Sequence, residues 1–291
     1  MNLGKGTQAR ALERRLTRAA PDFARGAFLH AQARAEVMRR LELAQLEPAR
    51  ILDLGGDAGL GARALADRYR KAAVTLVDLS PAMLEAASRA RGWWRRFDCL
   101  QGDASALPIP DASTDLVVAN MLLPNVPDPS AVFAEVRRVL KPRGYFVFTT
   151  LGATTLQEVR AAFGAADETP HVSEFPDFHD VGDGLTRAGF VAPVLDADRL
   201  SVTYRSLADV CRDLRAAGAA LPGGGRQALT GGRRWRAAEK AFAQQAGPDS
   251  RVAVSCEMIY GQAWCPDADQ ANRAGGQREV VVPLARLRRR D

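Results

Sequence analysis

The sequence predicts an α/β protein: a mostly parallel, seven-stranded sheet with helices on both faces. Three observations lead there. Between residues 49 and 151 short apolar runs alternate with stretches of helical period. The first unit, "ARILDLGGDAGLGARALADRYR" (49–70), reads as a buried strand, a glycine turn and a helix. The next strand, "VTLVDLS", closes on an acid, Asp78, where such sheets meet a ribose.

The elements follow in order. Residues 8–47 read as helix, because Leu12, Leu16, Ala19 and Phe23 recur at three- or four-residue steps and a second run covers Ala31 to Leu46. Pro48 ends that stretch. Strand "RILDLG", helix "GARALADRYR", strand "VTLVDLS" and helix "PAMLEAASRAR" come next, followed by the short "DCLQGDA". Strand "TDLVVANML", helix "PSAVFAEVRRVL", a "KPRG" turn and strand "YFVFTTL" complete the regular part. Right-handed connections are expected throughout. Beyond Leu151 the pattern loosens into helices "TTLQEVRAAFGAAD", "VGDGLTRAGF", "SLADVCRDLRAAGA" and "RWRAAEKAFAQQ", with strands near 192–204 and at "VAVSCEMIYGQAW". Residues 266–291 are polar apart from "VVVPL" and end "RLRRRD", which suits a partly disordered tail.

Bulk properties narrow the class. The chain has 291 residues, 47% of them hydrophobic, enough for a full core. No apolar run approaches the roughly 18 residues of a membrane span. The N-terminus lacks a secretory signal's apolar centre, so a cytoplasmic protein is expected. Cys99, Cys211, Cys256 and Cys265 have no C-x-x-C spacing, and His30, His171 and His179 do not cluster with them, so no metal site is expected. The net charge is +6, but only Lys5, Lys71, Lys141 and Lys240 among the 40 basic residues are lysines, which is a compositional bias. Without an aromatic-and-basic motif, neither nucleic acid nor a membrane is expected as partner.

The glycine turn carries the chemistry. Gly55 and Gly59 bound it, and backbone N–H groups there can approach a ligand closely. A dinucleotide would place a pyrophosphate in such a turn, and Asp57 would repel it. S-adenosylmethionine carries an ammonium and a sulfonium and no phosphate, so an acid beside it is tolerated. Aspartate also reaches left-handed backbone angles more readily than most residues.

"LDLGGDAG", "VTLVDLSPAML", "QGDASALP" and "EVRRVLKPRGYFVFTT" resemble the class I S-adenosylmethionine-dependent methyltransferases, whose turn reads D-x-G-x-G-x-G. "TRAAPDF", "FTTLGATTLQEVRAAF", "PHVSEFPDFHDVGDGLTRAGF" and "CRDLRAAGA" resemble more narrowly the malonyl-[acyl-carrier-protein] O-methyltransferases of biotin synthesis, over nearly residues 8–265. The resemblance implies a Rossmann-like methyltransferase domain over 48–265, a helical cap over 1–47 and a substrate-covering insertion at about 152–240. It implies a cofactor site of Asp53, Gly55, Asp57, Gly59, Asp78, Asp103 and Ala104, with Asp78 on the ribose and Asp103 on the adenine side. Asn120 would begin the acceptor-facing loop. Three positions depart from the family: Asp57 for a glycine, Phe23 for a tyrosine, and no tryptophan in "NMLLPNVPDP".

A malonyl carboxylate, with a pKa of about 4, is already ionised at pH 7 and needs no general base. It needs a cation to position it, and Arg212, Arg226 and Arg233 are the candidates. His171 and His179 are read as structural, and Phe175, Phe178 and Phe190 as packing. Malonyl-carrying acyl-carrier protein, an acidic partner, would suit a basic surface of Arg14, Arg15 and Arg18, or of Arg212 and Arg215. The alternatives are another small-acid methyltransferase, or a non-catalytic or protein-modifying, assembly-factor-like member of the same superfamily.

Overall fold

Helices α1 (Lys5–Ala19), α2 (Phe23–Gly26) and α3 (Phe28–Leu43) lead into the first strand, β1 (Arg50–Leu54). The computed structural model describes residues 5–91, 97–166, 171–172, 174–219 and 231–267. After β1 come α4 (Leu60–Arg68), β2 (Ala73–Asp78), α5 (Pro81–Ala90), β3 (Asp98–Gln101), β4 (Thr114–Ala119), α6 (Pro129–Val139) and β5 (Leu140–Leu151). Then follow α7 (Gln157–Gly164), α8 (Phe178–Arg187), β6 (Val191–Tyr204), α9 (Leu207–Ala216), α10 (Gly232–Ala243) and β7 (Val252–Trp264).

The seven strands lie in the order β3-β2-β1-β4-β5-β7-β6. The first five pair in parallel, whereas β7 runs antiparallel to both β5 and β6. Strand order reverses between β1 and β4, so the connections leaving their carboxyl ends diverge and open a crevice there.

Alternation within each strand divides the core. Leu52, Leu54, Val117, Phe146 and Phe148 face Val132, Phe133 and Val136 of α6 and Leu185 of α8. Ile51, Val74, Leu116, Val118 and Val147 face Val37 and Leu41 of α3, Leu65 of α4 and Ala87 of α5. Side chains point to opposite faces at a period of two, so a strand buried on both sides must be apolar at nearly every position. A third cluster lies off the sheet, where Val159 and Phe163 of α7 pack with Val210 and Cys211 of α9, Phe242 of α10 and Val254 of β7.

The structure redraws three expectations. Residues 1–47 do not act as one cap, because α3 is a layer helix whose Val37 and Leu41 are in the sheet core. Only α1 and α2 stand apart from that layer, with Phe23 packed on Met83 of α5. The range 152–240 contains two elements of the sandwich itself, α8 and the edge strand β6. Outside the sandwich that range leaves two separate segments, one around α7 and one of α9 and α10, which pack together in the third cluster. Finally, the "KPRG" turn falls inside a strand rather than before one, as a bulge across which the pairing with β4 slips from Thr114–Leu140 to Leu116–Tyr145. β5 starts at Leu140 and passes through it, with Arg143 at φ 62° and its N–H bonded to the Cys265 carbonyl at 3.0 Å. The tail beyond residue 267, including "VVVPL", lies outside the described residues. Among those described, no helix is long and apolar enough to cross a membrane.

Candidate functional site

Two pockets open at the carboxyl edge of the sheet. The first, of about 660 Å³, lies over β1, β2 and β4 and is lined by Gly55, Asp78, Asp103, Ala104 and Asn120, roofed by Leu12 and Leu16 of α1. Gly55, Asp78, Asp103, Ala104 and Asn120 all stand at or just beyond a strand end, where the backbone must turn. Asp78 closes β2, and its Oδ1 accepts the Ser80 N–H at 2.8 Å. Ser80 in turn caps α5, with Pro81 beginning the helix, so the acid is fixed by the chain's own change of direction.

Glycines bring bare backbone to this pocket. Gly55 has φ 66°, and a Cβ there would lie 3.1 Å from Leu122 Cδ1. At Gly102 a Cβ would come within 2.8 Å of Pro108 and 3.0 Å of Val77. Asp103 is exposed, and its Oδ1 accepts the N–H and the hydroxyl of Ser105 at 2.8 and 2.6 Å.

Asn120 is buried at the end of β4 and is tied on both sides. Its Nδ2 donates to the His30 carbonyl at 3.0 Å, and its Oδ1 accepts the Thr149 hydroxyl at 2.8 Å. The same Thr149 oxygen accepts the Met121 N–H at 2.8 Å. Thr149→Val keeps the shape but strips a buried N–H of its acceptor. It is expected to cost about 1–3 kcal/mol in urea unfolding, and a cost near zero would show the strand end to be held by other contacts.

The second pocket, of about 950 Å³, is mainly apolar and lies under α2 and α9, lined by Phe28, Leu29, Leu156, Phe175, Val202 and Val254 among others. Its polar wall holds Tyr204, Asp213 and Ser255. Burial first, and then the bonded Asp213 carboxylate, hold the Tyr204 phenol well above its ordinary pKa. Cys256 also lines it, but burial pushes this thiol up to about 12, so it is no nucleophile at neutral pH. His30, Met121, Asn125 and Ala217 line both pockets and form the wall between them.

Four expected cofactor or acceptor positions fall elsewhere. Asp53 is fully buried under the turn, where a Cβ on Gly56 or Gly61 would lie 2.2 or 2.7 Å from its Oδ2. Gly59 (φ 89°) faces α5 rather than the pocket, and a Cβ there would meet Ala87 Cα at 2.8 Å. Arg212 is 70% exposed and paired with Asp209 at 2.6 Å, and Arg233 is exposed on α10, so neither lines a pocket. Long cationic side chains on the outer faces of helices stay in water, where their charge is cheapest. Arg226 lies outside the described residues, and so does the side chain of Asp57. The left-handed residue within the turn proves to be Ala58, at φ 54°, rather than Asp57. His171 stacks on Phe163 at 4.5 Å and His179 is exposed, both away from the pocket walls. Phe178 and Phe190 pack in the core as expected, but Phe175 reaches the apolar pocket.

The protein-family model described as "Methyltransferase domain" matches residues 52–148, from β1 into β5. Among solved structures, the YcgJ protein of Bacillus subtilis superposes with a TM-score of 0.56 at 17% identity, over 78% of this chain and 97% of that one. The BH2331 protein of Bacillus halodurans gives 0.57 at 19%, over 80% and 99%. These establish the Rossmann-like fold of class I methyltransferases. Malonyl-[acyl-carrier protein] O-methyltransferases are nearer in sequence. The one from Gallionella capsiferriformans is 37% identical over 91% of this chain and 93% of its own. The one from Halorhodospira halophila is 40% identical over 91% and 90%. The chain belongs to the malonyl-[acyl-carrier protein] O-methyltransferase family.

The cofactor of this methyltransferase is S-adenosylmethionine, and the strand-end pocket fits it. Its lining holds two carboxylates, Asp78 and Asp103, and no lysine or arginine among the described residues. Such a donor set suits hydroxyls and positive charge and would repel a phosphate. At Gly55 and Gly102 a Cβ would press on Leu122, Pro108 and Val77, so the pocket meets bare backbone at both positions. Two residues at the site went unread in the sequence. His30 stands on the shared wall, edge-on to Phe23 at 5.1 Å, but a lone histidine in "AFLHAQ" carries no motif. Arg15 was read as surface, yet its Nη2 donates to Asn125 Oδ1 at 3.3 Å. Its position on the face of Leu12 and Leu16 was the available signal.

Proposed function

We propose that this protein methylates the free carboxylate of malonyl-[acyl-carrier protein], the ester-forming step that admits a malonyl unit to biotin-precursor synthesis. The observation that carries the reading is the pair of pockets sharing one wall: an acidic one at the strand ends and an apolar one beside it. A transferable methyl and its acceptor must meet in line and in contact, which needs two pockets that adjoin as these do at their four shared residues.

When bound, S-adenosylmethionine supplies an electrophilic methyl group on a sulfonium. The protein's part is placement and exclusion of water. Asp78 at the end of β2 would take the ribose hydroxyls, and Asp103 with Ala104 would border the adenine. Asn120, locked between His30 and Thr149, fixes the loop that carries Met121 and Leu122 over the crevice. Phe28, Leu29 and Leu156 keep the acceptor pocket dry, which strengthens the attraction between carboxylate and sulfonium. No side chain has to remove a proton, because the acceptor arrives ionised.

The acidic carrier domain would dock on exposed Arg14 and Arg18 of α1 or exposed Arg212 and Arg215 of α9, two helices that touch each other beside the pockets. Mass spectrometry of malonyl-carrier protein after incubation with enzyme and cofactor is expected to show one added methyl. An acetyl-carrier protein, lacking the carboxylate, should stay unmodified. A protein that binds the cofactor yet never forms the ester would keep its fold and lose this substrate.

A further inference from the structure

We propose that Arg15, steadied by Asn125, binds the acceptor's carboxylate at the wall between the two pockets and selects acceptors that carry one. The proposal rests on the carboxylate-methylation reading and names the residue that reading lacks.

A carboxylate entering these pockets meets no lysine or arginine among the described residues of their walls, and the acceptor pocket presents Asp213. A carboxylate taken out of water without a countercharge is strongly disfavoured. Among the described residues the nearest source of a countercharge is the layer behind these walls, and it serves best close to the residues the two pockets share, where the methyl is transferred.

Arg15 meets both conditions. It lies between Leu12 and Leu16 on the face of α1 that roofs the cofactor pocket. Its guanidinium reaches Asn125, one of the four residues common to both pockets. It is also an under-used cation. Among the described residues Asn125 Oδ1 is its hydrogen-bond partner, no carboxylate pairs with it, and its Nε is buried without an acceptor. Burial lowers the pKa of the group from its ordinary value, the mark of a charge that is desolvated and not compensated. Arginine has five donors in a planar fork and keeps its proton, so donors remain to take a carboxylate side-on. Asn125 sits in the short turn Leu123–Asn125, with its N–H bonded to the Leu122 carbonyl at 3.0 Å, so the fork's partner is held by backbone.

The test compares wild type with Arg15→Gln and Arg15→Lys. Two measurements are made: ester formation on malonyl-carrier protein, and calorimetry of malonyl-CoA and acetyl-CoA binding to protein saturated with S-adenosylhomocysteine. Arg15→Gln is expected to lower kcat/KM and malonyl-CoA affinity by about tenfold to a hundredfold. Acetyl-CoA and S-adenosylhomocysteine affinities should stay within about twofold, and Arg15→Lys should recover part of the loss. Should Arg15→Gln fold poorly, Asn125→Asp serves instead, since a fixed carboxylate would occupy the fork and cause the same selective loss. Wild-type kinetics in Arg15→Gln or Asn125→Asp would overturn the proposal, and so would an equal loss of acetyl-CoA or S-adenosylhomocysteine binding. A wild-type protein that methylates no malonyl thioester would overturn the underlying reading, a result distinct from an Arg15 variant that methylates normally.

Discussion

Replacing Asp78 with alanine is expected to weaken S-adenosylmethionine binding by about 1–3 kcal/mol, roughly a five- to 150-fold rise in Kd. The carboxylate closes β2, lines the cofactor pocket and has one oxygen engaged by the Ser80 N–H. Alanine therefore removes a charged acceptor from the ribose and a tether from the entry to α5. Asparagine separates the two effects, since its carbonyl still accepts the Ser80 N–H while the charge is gone. Asp78→Asn is expected to unfold as wild type does and still lose part of the cofactor affinity. Calorimetry with S-adenosylhomocysteine measures both variants. Unchanged affinity in Asp78→Ala would place the ribose elsewhere on the sheet edge.

Gly59→Ala should act on stability rather than on the ligand. The residue is left-handed, which costs a side chain about 1–2 kcal/mol, and the new Cβ would meet Ala87 backbone at 2.8 Å, a contact that only displacement of α5 relieves. Overpacking of this kind adds about 1–3 kcal/mol. Thermal unfolding is expected to fall by on the order of 5–10 °C. Ala58→Gly, two atoms of backbone away and also left-handed, should move the other way, because glycine relieves the strain at φ 54°. If Gly59→Ala melts like wild type, α5 does not press on the turn as described.

Much of the sheet could be read from residues alone, and the reason is physical. In β1, β4 and β5 both faces are buried, so apolar residues run without a break and the strands announce themselves. The place of Asp78 at the end of β2 was equally readable, because the apolar run "VTLV" stops at it and Leu-Ser-Pro opens the next helix. Periodicity reveals that a helix has an apolar face but does not say what that face meets. Thus α3 looked like part of a cap while its Val37 and Leu41 belong to the main core. The two segments outside the sandwich looked like one insertion, since nothing local in "VAPVLDADRL" tells that β6 returns to the sheet edge. The arginines failed for a related reason. Arg212 sits in a family-like motif yet points to water, whereas Arg15 is one of four arginines within nine residues and only its neighbours on the helix set it apart. Its meaning comes from Asn125, far along the chain.

The roof of the cofactor pocket has a history written into chain order. Helix α1 leaves the ribosome first, but the platform beneath it includes Gly218, where even a Cβ would press on Leu16 and Ala19. That platform is synthesised roughly 200 residues later, about 10–40 s at ordinary elongation rates. A lone helix of this length is marginal in water, and for that interval α1 has only the α5 side to pack on, where Leu16 meets the cluster of Phe23 and Met83. The pocket that the strands of the first half define is therefore finished only when the second half docks, and an enzyme cut short after β5 would hold the cofactor's ceiling from the α5 side alone.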